Sequence, residues 1–491
     1  MKNFMQDTGL YWRPLGGNNI DQISGHCYQY TGVLNCKTGL KYSSILVDLG
    51  KFDNHQALGI KNSVAAVPDI RDILKDKTLN LKGLFLTHSH PDHLNGIVHY
   101  LRAGYTLPTL YGGKYTKMVL DELYSYYQIG KTKQPTFVVI KDGDKFKCGV
   151  FDVEVLSSSH TCFDSFGFII TFENTSIYHS GDIKIDQTTY FRKPTNIKIL
   201  KKRKDDIDYV VADFYGIDND GTAWREADVL KTLVRIIKKS RHSKIFLPIY
   251  PTHAEMYILA FLAALKLRKD VIFYGNDDFY SYLDMIKKYG IDFNKLAKNK
   301  IKIIEGIPEN IEEFSNNFIV IGAYNDIGNW FNESSEDSFA LITASTYFNP
   351  LKGQLNSRNI RFVTLEEYPI IQGASHGFLG DWEYILKILP NAVYIPTHCP
   401  CFVAESFNIL AKELGFKIIK PIVQNNYLFK LCNNHYHLLS SRPATWLVVN
   451  DKSCFTEVWQ RPTSGIGFLK RTFSKKRTQQ KFKMMLCQRR K

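Results

Sequence analysis

Residues 88–93 read His-Ser-His-Pro-Asp-His, four ligand-type side chains within six positions. The apolar run from Gly83 to Leu86 precedes them and reads as a short buried strand. Side chains alternate along an extended segment, so His88 and His90 leave the strand end on the same side. Pro91 cannot continue a ladder. Asp92 suits the start of a helix near His93, where a carboxylate meets the positive end of the helix dipole. Three imidazoles and one carboxylate around a point suit zinc or a related divalent cation. An ordinary polar loop rarely concentrates such donors directly after a buried strand.

The elements around this stretch must bring in the rest of a site. Tyr11 to Asn19 reads as a strand with a glycine turn, and Tyr42 to Leu49 as a strand ending at Asp48. Val67 to Ile70 reads as a turn into helix-like residues up to Leu74, and Thr116 to Tyr127 as a helix. Asp142-Gly143-Asp144 predicts a hairpin between Phe137–Lys141 and Lys145–Phe146. The strand Phe151–Leu156 runs out at His160; after Phe166–Phe172, the strand Ser176–His179 runs out at Asp182. Twice, then, a strand delivers a ligand-type residue at its C-terminal end, the usual place for a site in an open α/β sheet. From about Ile207 the pattern becomes strand–helix alternation through Tyr280–Lys288, which predicts an inserted parallel-sheet domain. Near Phe362 the chain returns to the first domain, with a helix at Trp382–Leu389, a strand at Ala392–Ile395 and a helix at Ala404–Leu414.

The hexapeptide matches the His-x-His-x-Asp-His signature of metallo-β-lactamase-fold hydrolases, and the chain resembles that superfamily. Beside that resemblance, His88, His90 and His160 are read as holding one metal, and Asp92, His93 and His398 a second. Asp182, with two carboxylate oxygens, bridges them. Two metals sharing a carboxylate suit phosphodiester hydrolysis, because they lower the pKa of water and stabilise charge on a phosphoryl group. The metals expected are two divalent ions, zinc first, with manganese or magnesium as alternatives.

Within the superfamily the chain resembles the β-CASP branch, and in it ribonuclease J, from about residue 12 to 430. The resemblance rests on His160…Asp164-Ser165-Phe166-Gly167 and on Ser180-Gly181-Asp182-Ile183-Lys184. It rests also on Asp213 in Val211-Ala212-Asp213-Phe214, His376 in Gly373-Ala374-Ser375-His376-Gly377, and His398 in Tyr394-Ile395-Pro396-Thr397-His398. It implies an αββα metallo-β-lactamase sandwich with an inserted β-CASP α/β domain. The expected divisions are 1–206 for the first part, 207–360 for the insert, 361–435 for the returning part and 436–491 for a basic extension. His376 suits contact with the scissile phosphate or protonation of a leaving 3′ oxygen. Asp213 suits orienting it, and Asp48 resembles the family's carboxylate behind a ligating histidine. Asp92, Asp182, His376 and Asp213 are thus the expected catalytic residues, and Ser375, His376 and His253 the expected substrate contacts. His99 and His179 fall off the ligand pattern, and His26, His55, His242, His435 and His437 carry no signal.

Three stretches depart from the family: Gly322 to Gly328, Ala344 to Pro350, and Ile249 to His253. They leave the metal residues intact and unsettle the 5′-monophosphate pocket and hence 5′-exonuclease behaviour. The family's C-terminal dimerisation domain has no clear counterpart, though a homo-oligomer stays among the expected partners.

Bulk properties set further bounds. The 491 residues are 44% hydrophobic and 13% aromatic, enough for two or three domains with packed cores. No stretch approaches the ~20 apolar residues of a membrane span. Met1 to Leu15 lacks the apolar core of a secretory signal. Nine cysteines without regular spacing point to reduced thiols, so a cytoplasmic location is expected. Much of the +15 formal charge lies after Glu457, where eleven cations and no acid follow. That tail suits RNA or another acidic surface. The expected activity is a two-metal ribonuclease, acting exo- or endonucleolytically. The rivals are a small-molecule hydrolase of the same superfamily and a non-catalytic RNA-binding scaffold derived from the enzyme.

Overall fold

This computed structural model describes residues 2–18, 24–52, 63–307, 314–324, 326, 337–343, 348–420, 423–433, 435–441, 445–450 and 455–459. An eight-stranded sheet runs in the order His435–Ser441, Tyr427–Cys432, Gly9–Gly16, Cys27–Cys36, Gly39–Val47, Leu81–Phe85, Thr109–Gly112, Phe137–Val139. A seven-stranded sheet runs Lys417–Ile418, Val393–Thr397, Tyr209–Asp213, Thr175–His179, Phe166–Phe172, Phe151–Ser157, Lys145–Cys148.

Alternation along the strands makes the layers. Ile45, Val47 and Phe85 share a core with Phe168, Val211 and Ile395, so the two sheets face each other. Leu46, Leu84 and Leu86 point the other way, onto Ile97, Val98 and Leu101 of the helix Gly96–Arg102. Val210 and Ala212 likewise meet Trp382, Ile385 and Leu386 of the helix Leu379–Ile388, and Phe407 of the helix Cys401–Leu414. Strands buried on both faces carry continuous apolar runs, which is why the sequence displays them. Each large side chain so buried contributes about 1.5–3 kcal/mol. The result is a helix–sheet–sheet–helix sandwich of metallo-β-lactamase type with an inserted domain.

The insert has its own six-stranded parallel sheet, Ile303–Glu305, Asp270–Tyr274, Phe318–Ala323, Lys244–Ile249, Ser338–Leu341, Arg361–Val363. Helices Glu226–Ser240, Ala254–Leu267 and Asp277–Tyr289 belong to it. The strand Tyr209–Asp213, which the sequence pattern assigns to the opening of the insert, pairs instead between Thr175–His179 and Val393–Thr397 of the seven-stranded sheet. Strand–helix alternation is the same signal in either domain, so periodicity alone misplaces it.

Two more local expectations change. Phe137–Val139 pairs with Thr109–Gly112 in one sheet, whereas Lys145–Cys148 pairs with Phe151–Ser157 in the other. Asp142-Gly143-Asp144 is therefore a crossing between sheets rather than a hairpin. Its polar groups go to the second sheet: Asp142 Oδ1 accepts from the Ser157 N–H at 2.9 Å, and the Gly143 N–H donates to the Val155 carbonyl at 2.8 Å. The strand Cys27–Cys36 escapes sequence reading because Gln29 and Thr31 interrupt its apolar pattern. They are buried and satisfied, Gln29 Nε2 donating to Thr31 Oγ1 at 3.0 Å.

Among the described residues no helix is long and apolar enough to cross a membrane. The tail from residue 460 onward lies outside them, as do residue 325 and most of 327–347 in the departing loops.

Candidate metal centre

Parallel strands end together at one edge of the sandwich, and each end carries part of a site. Asp48 follows Gly39–Val47 with φ at +59°, a conformation that turns the chain sharply off the strand. Its buried carboxylate accepts from the Thr87 N–H and from Thr87 Oγ1, both at 2.8 Å, and meets His93 Nδ1 at 2.8 Å. Gly50 lets the backbones touch, since a Cβ there would lie 1.6 Å from the Asp92 carbonyl oxygen. His88 and His90 emerge from Leu81–Phe85, and His93 lies in the short helix Pro91–Leu94.

The Asp182 carboxylate sits at the centre. Its Oδ2 faces His88 Nε2 and His160 Nε2, each at 3.6 Å. Its Oδ1 faces His93 Nε2 at 3.3 Å and His398 Nδ1 at 3.1 Å. One oxygen is thus turned to each of the two expected ligand sets. His90 Nδ1 completes the first set, 3.0 Å from His160 Nε2. Asp92 Oδ2 stands 3.7 Å from His93 Nε2 and 3.9 Å from His398 Nε2 in the second.

The donor set fits divalent cations. His160 Nδ1 meets the Ser375 carbonyl at 2.7 Å and His93 Nδ1 meets Asp48, so in each ring Nε2 is the nitrogen that faces inward. His88 Nε2 and His93 Nε2 are buried without a hydrogen-bond partner. Burial holds His88 and His160 well below the usual imidazole range and His90 at about 3, so these rings are neutral and ready to ligate. Burial also opposes charge on His93, but the carboxylates of Asp182, Asp92 and Asp48 outweigh it and raise its pKa well above the usual value. The edge is short of positive charge.

His376 stands beside this cluster. Its Nδ1 meets Asp213 Oδ2 at 2.7 Å, and that oxygen also accepts from the Ile183 N–H at 3.1 Å. The Gly377 N–H donates to the Ile183 carbonyl at 2.6 Å, fixing the loop against the strand end that carries Asp182. Burial lowers the His376 pKa, but Asp213 and then Asp182 outweigh it and lift it to about 9. An open cavity of about 740 Å³ is lined by His90, Asp92, Asp182, His398, Ser375 and His376, with Tyr215, Trp224 and Phe378 on its walls. A second cavity of about 650 Å³, with Lys114, Lys141 and Lys193, contains none of the seven expected metal residues.

Two other histidines stand apart from this cluster. His253, an expected substrate contact, is buried ahead of the helix Ala254–Leu267 and is not among the residues that line this cavity. His179 is a satisfied core residue, its Nδ1 2.8 Å from the Tyr30 hydroxyl. Two residues at the site had not been singled out. Cys162 groups with His88, His90 and His160, and its place two residues after His160 was a readable hint. His26 groups with His93 and His398, and nothing near it in sequence announces this.

Residues 64–227 match the Beta-lactamase superfamily domain, a span holding His88 to His93, His160 and Asp182. The fold is that of the metallo-β-lactamases. The chain is also similar to curated ribonuclease J proteins. That of Mycobacterium tuberculosis (strain CDC 1551 / Oshkosh) is 26% identical over 269 residues, covering 54% of this chain and 45% of the relative. That of Mycoplasma genitalium is 20% identical over 406 residues, covering 77% and 68%. In several of these relatives the match spans less than half their length. A crystal structure of a protein of unknown function from Enterococcus faecalis V583 aligns over 87% of this chain and 100% of its own, with a TM-score of 0.59 at 16% identity. The chain thus has the metallo-β-lactamase fold and resembles ribonuclease J.

Proposed function

We propose that this protein is a metal-dependent ribonuclease that hydrolyses RNA phosphodiester bonds in the cavity beside Asp182. The observation that carries the reading is the Asp182 carboxylate, one oxygen turned to His88 and His160 and the other to His93 and His398. His88, His90 and His160 would hold one divalent ion and Asp92, His93 and His398 the other, with Asp182 between; nitrogen and carboxylate donors favour zinc. When bound, such a pair supplies an activated water and a clamp for phosphoryl oxygens.

The chain's own residues do the rest. Asp48 and the Ser375 carbonyl hold His93 and His160 in the ligating tautomer. Asp213 takes the Nδ1 proton of His376 in a hydrogen bond, which leaves Nε2–H to protonate a leaving 3′ oxygen. Water adds its hydroxyl to phosphorus, the bond from phosphorus to the 3′ oxygen breaks, and a 3′ hydroxyl and a 5′ phosphate result. Tyr215 and Trp224 offer faces on which bases stack. The aromatic walls and the inserted domain favour a polymer over a small acyl substrate.

Purified protein incubated with 5′-monophosphate, 5′-triphosphate and circular RNA tests this. Cleavage leaving 5′ phosphates is expected, and the circular substrate separates endo- from exonucleolytic attack. Intact RNA in every arm, under conditions where the protein holds metal, would overturn the substrate assignment.

A further inference from the structure

Residues 158–165 carry His160 toward the metal centre and also wall the second cavity, of about 650 Å³, with Ser158, Cys162 and Ser165. Among the described residues the two cavities have no lining residue in common. The volume falls in the range of about 300–1,000 Å³ usual for small-molecule sites.

The decisive wall residue is Phe191, which is 42% exposed. Its φ is +59°, in the left-handed region that a bulky residue rarely adopts. Both neighbours hold it there. The Tyr190 N–H donates to Glu226 Oε2 at 2.7 Å, and the Arg192 guanidinium donates to Glu226 Oε1 and Glu255 Oε2, each at 2.7 Å. Thr189 Oγ1 donates to the Arg192 carbonyl at 3.0 Å and closes the turn. A turn anchored in buried ion pairs thus presents an aromatic face to the cavity, against the backbone's own preference. No other ring receives that face among the described residues.

Three ammonium groups line the same cavity. Lys114 Nζ donates to the Tyr289 carbonyl at 3.2 Å and lies over the Tyr289 ring. Lys193 Nζ is 3.3 Å from Asp142 Oδ2. Lys141, next to Asp142 in the chain, is exposed and has no ion-pair partner among the described residues. The two wall carboxylates are largely engaged. Asp142 Oδ1 accepts from the Ser157 N–H and Asn196 Nδ2, both at 2.9 Å. Asp164 accepts from the Tyr289 hydroxyl at 2.8 Å and the Tyr115 N–H at 3.1 Å. Lysine charge alone suits any anion, and an aromatic face alone suits any flat ring. Together they select a flat ring joined to a phosphate. We propose that this cavity is a second nucleotide site, in which a base stacks on Phe191 and its phosphate meets Lys141 and Lys193. A free nucleotide and a nucleotide within an RNA strand present the same chemistry.

Photocrosslinking through 5-iodouridine, which couples to an aromatic ring stacked on it, reads this contact. Full-length protein as purified is irradiated with 5-iodouridine 5′-monophosphate in one arm. The other arm uses a nuclease-resistant phosphorothioate RNA carrying one 5-iodouridine. Peptide mapping should place a label on Phe191 in at least one arm, and the arm that gives it identifies the source. Lys141→Glu, a change at an exposed position, should raise the probe concentration for half-maximal labelling of Phe191 by about tenfold. Labelling of Tyr215 and Trp224 in the catalytic cavity should not change in that variant. No label on Phe191 in either arm would overturn the site, and labels confined to Tyr215 or Trp224 would do so while leaving the ribonuclease reading standing. Labelling of Phe191 that ignores Lys141→Glu would overturn the phosphate contact and with it the nucleotide assignment.

Discussion

Asp182 and Lys184 are two residues apart, yet they lie in buried polar clusters of opposite kinds. Lys184 Nζ meets both Glu255 oxygens, at 3.2 and 2.9 Å, and Arg192 reaches Glu255 and Glu226, each at 2.7 Å. All four are buried, and none of their charged atoms lacks a partner. Glu255 opens a helix of the insert while Lys184 follows the strand that carries Asp182, so the cluster fastens the insert to the sandwich. Around Asp182, by contrast, Nε2 of His26, His88 and His93 has no hydrogen-bond partner, and carboxylates crowd a cluster in which burial keeps His88, His90 and His160 neutral. A buried network with every charge answered holds a structure together. One with inward lone pairs and surplus negative charge is a site for something positive.

Substitutions should divide along that line. The largest loss of cleavage is expected from His90→Ala or Asp182→Ala: metal content falls and activity drops further than the ~10²–10⁴-fold typical of one lost acid or base. Folding measured without metal should change little. Retained metal in either variant would break the contrast. His376→Ala comes next, with cleavage slowed by ~10²–10⁴ and metal content unchanged. Loss of metal in that variant would move His376 into the ligand set.

Lys184→Met should do the reverse. It leaves a buried carboxylate short of a partner and costs about 3–5 kcal/mol of stability, against a total of about 5–15 kcal/mol for a typical domain. Denaturant titration reads the loss, and the folded fraction should still bind metal. A fully stable variant would show the network to be dispensable.

The smallest effect is in pH dependence. Burial raises the Glu255 pKa, but Lys184 and Arg192 outweigh it and hold the carboxyl below its usual range. A depressed folded pKa means that its stabilisation is complete above the unfolded value of about 4.3 and is lost as pH falls through the folded value. The melting temperature should therefore drop as pH falls through that acid range, and Glu255→Gln should flatten the dependence. Parallel curves for the two proteins would assign the acid limb to other groups.

Legibility in the sequence followed the physics of each part. His88, His90, Asp92 and His93 were readable because one strand end carries them all, and His160, Asp182 and His398 because each ends its own apolar run. Their grouping came from the family resemblance, since spacing alone does not say which strands are neighbours. His26 was opaque for that reason: it precedes a strand whose pattern is broken by Gln29 and Thr31, and only the fold lays it against Asp92. The pairing of Asp213 with His376 spans 163 residues, and so was an expectation of chemistry rather than of sequence. The turn at Asp142 to Asp144 misled because a turn signal states where a chain bends and not which sheet receives it.

The central claim is that the edge around Asp182 is complete only with metal. Elemental analysis of protein purified without chelator, run beside His90→Ala and paired with an RNA cleavage assay, tests it most directly. The account predicts close to two divalent ions per chain, lost together with cleavage in the variant. Metal-free protein that still cleaves RNA, with activity surviving His90→Ala, would contradict it.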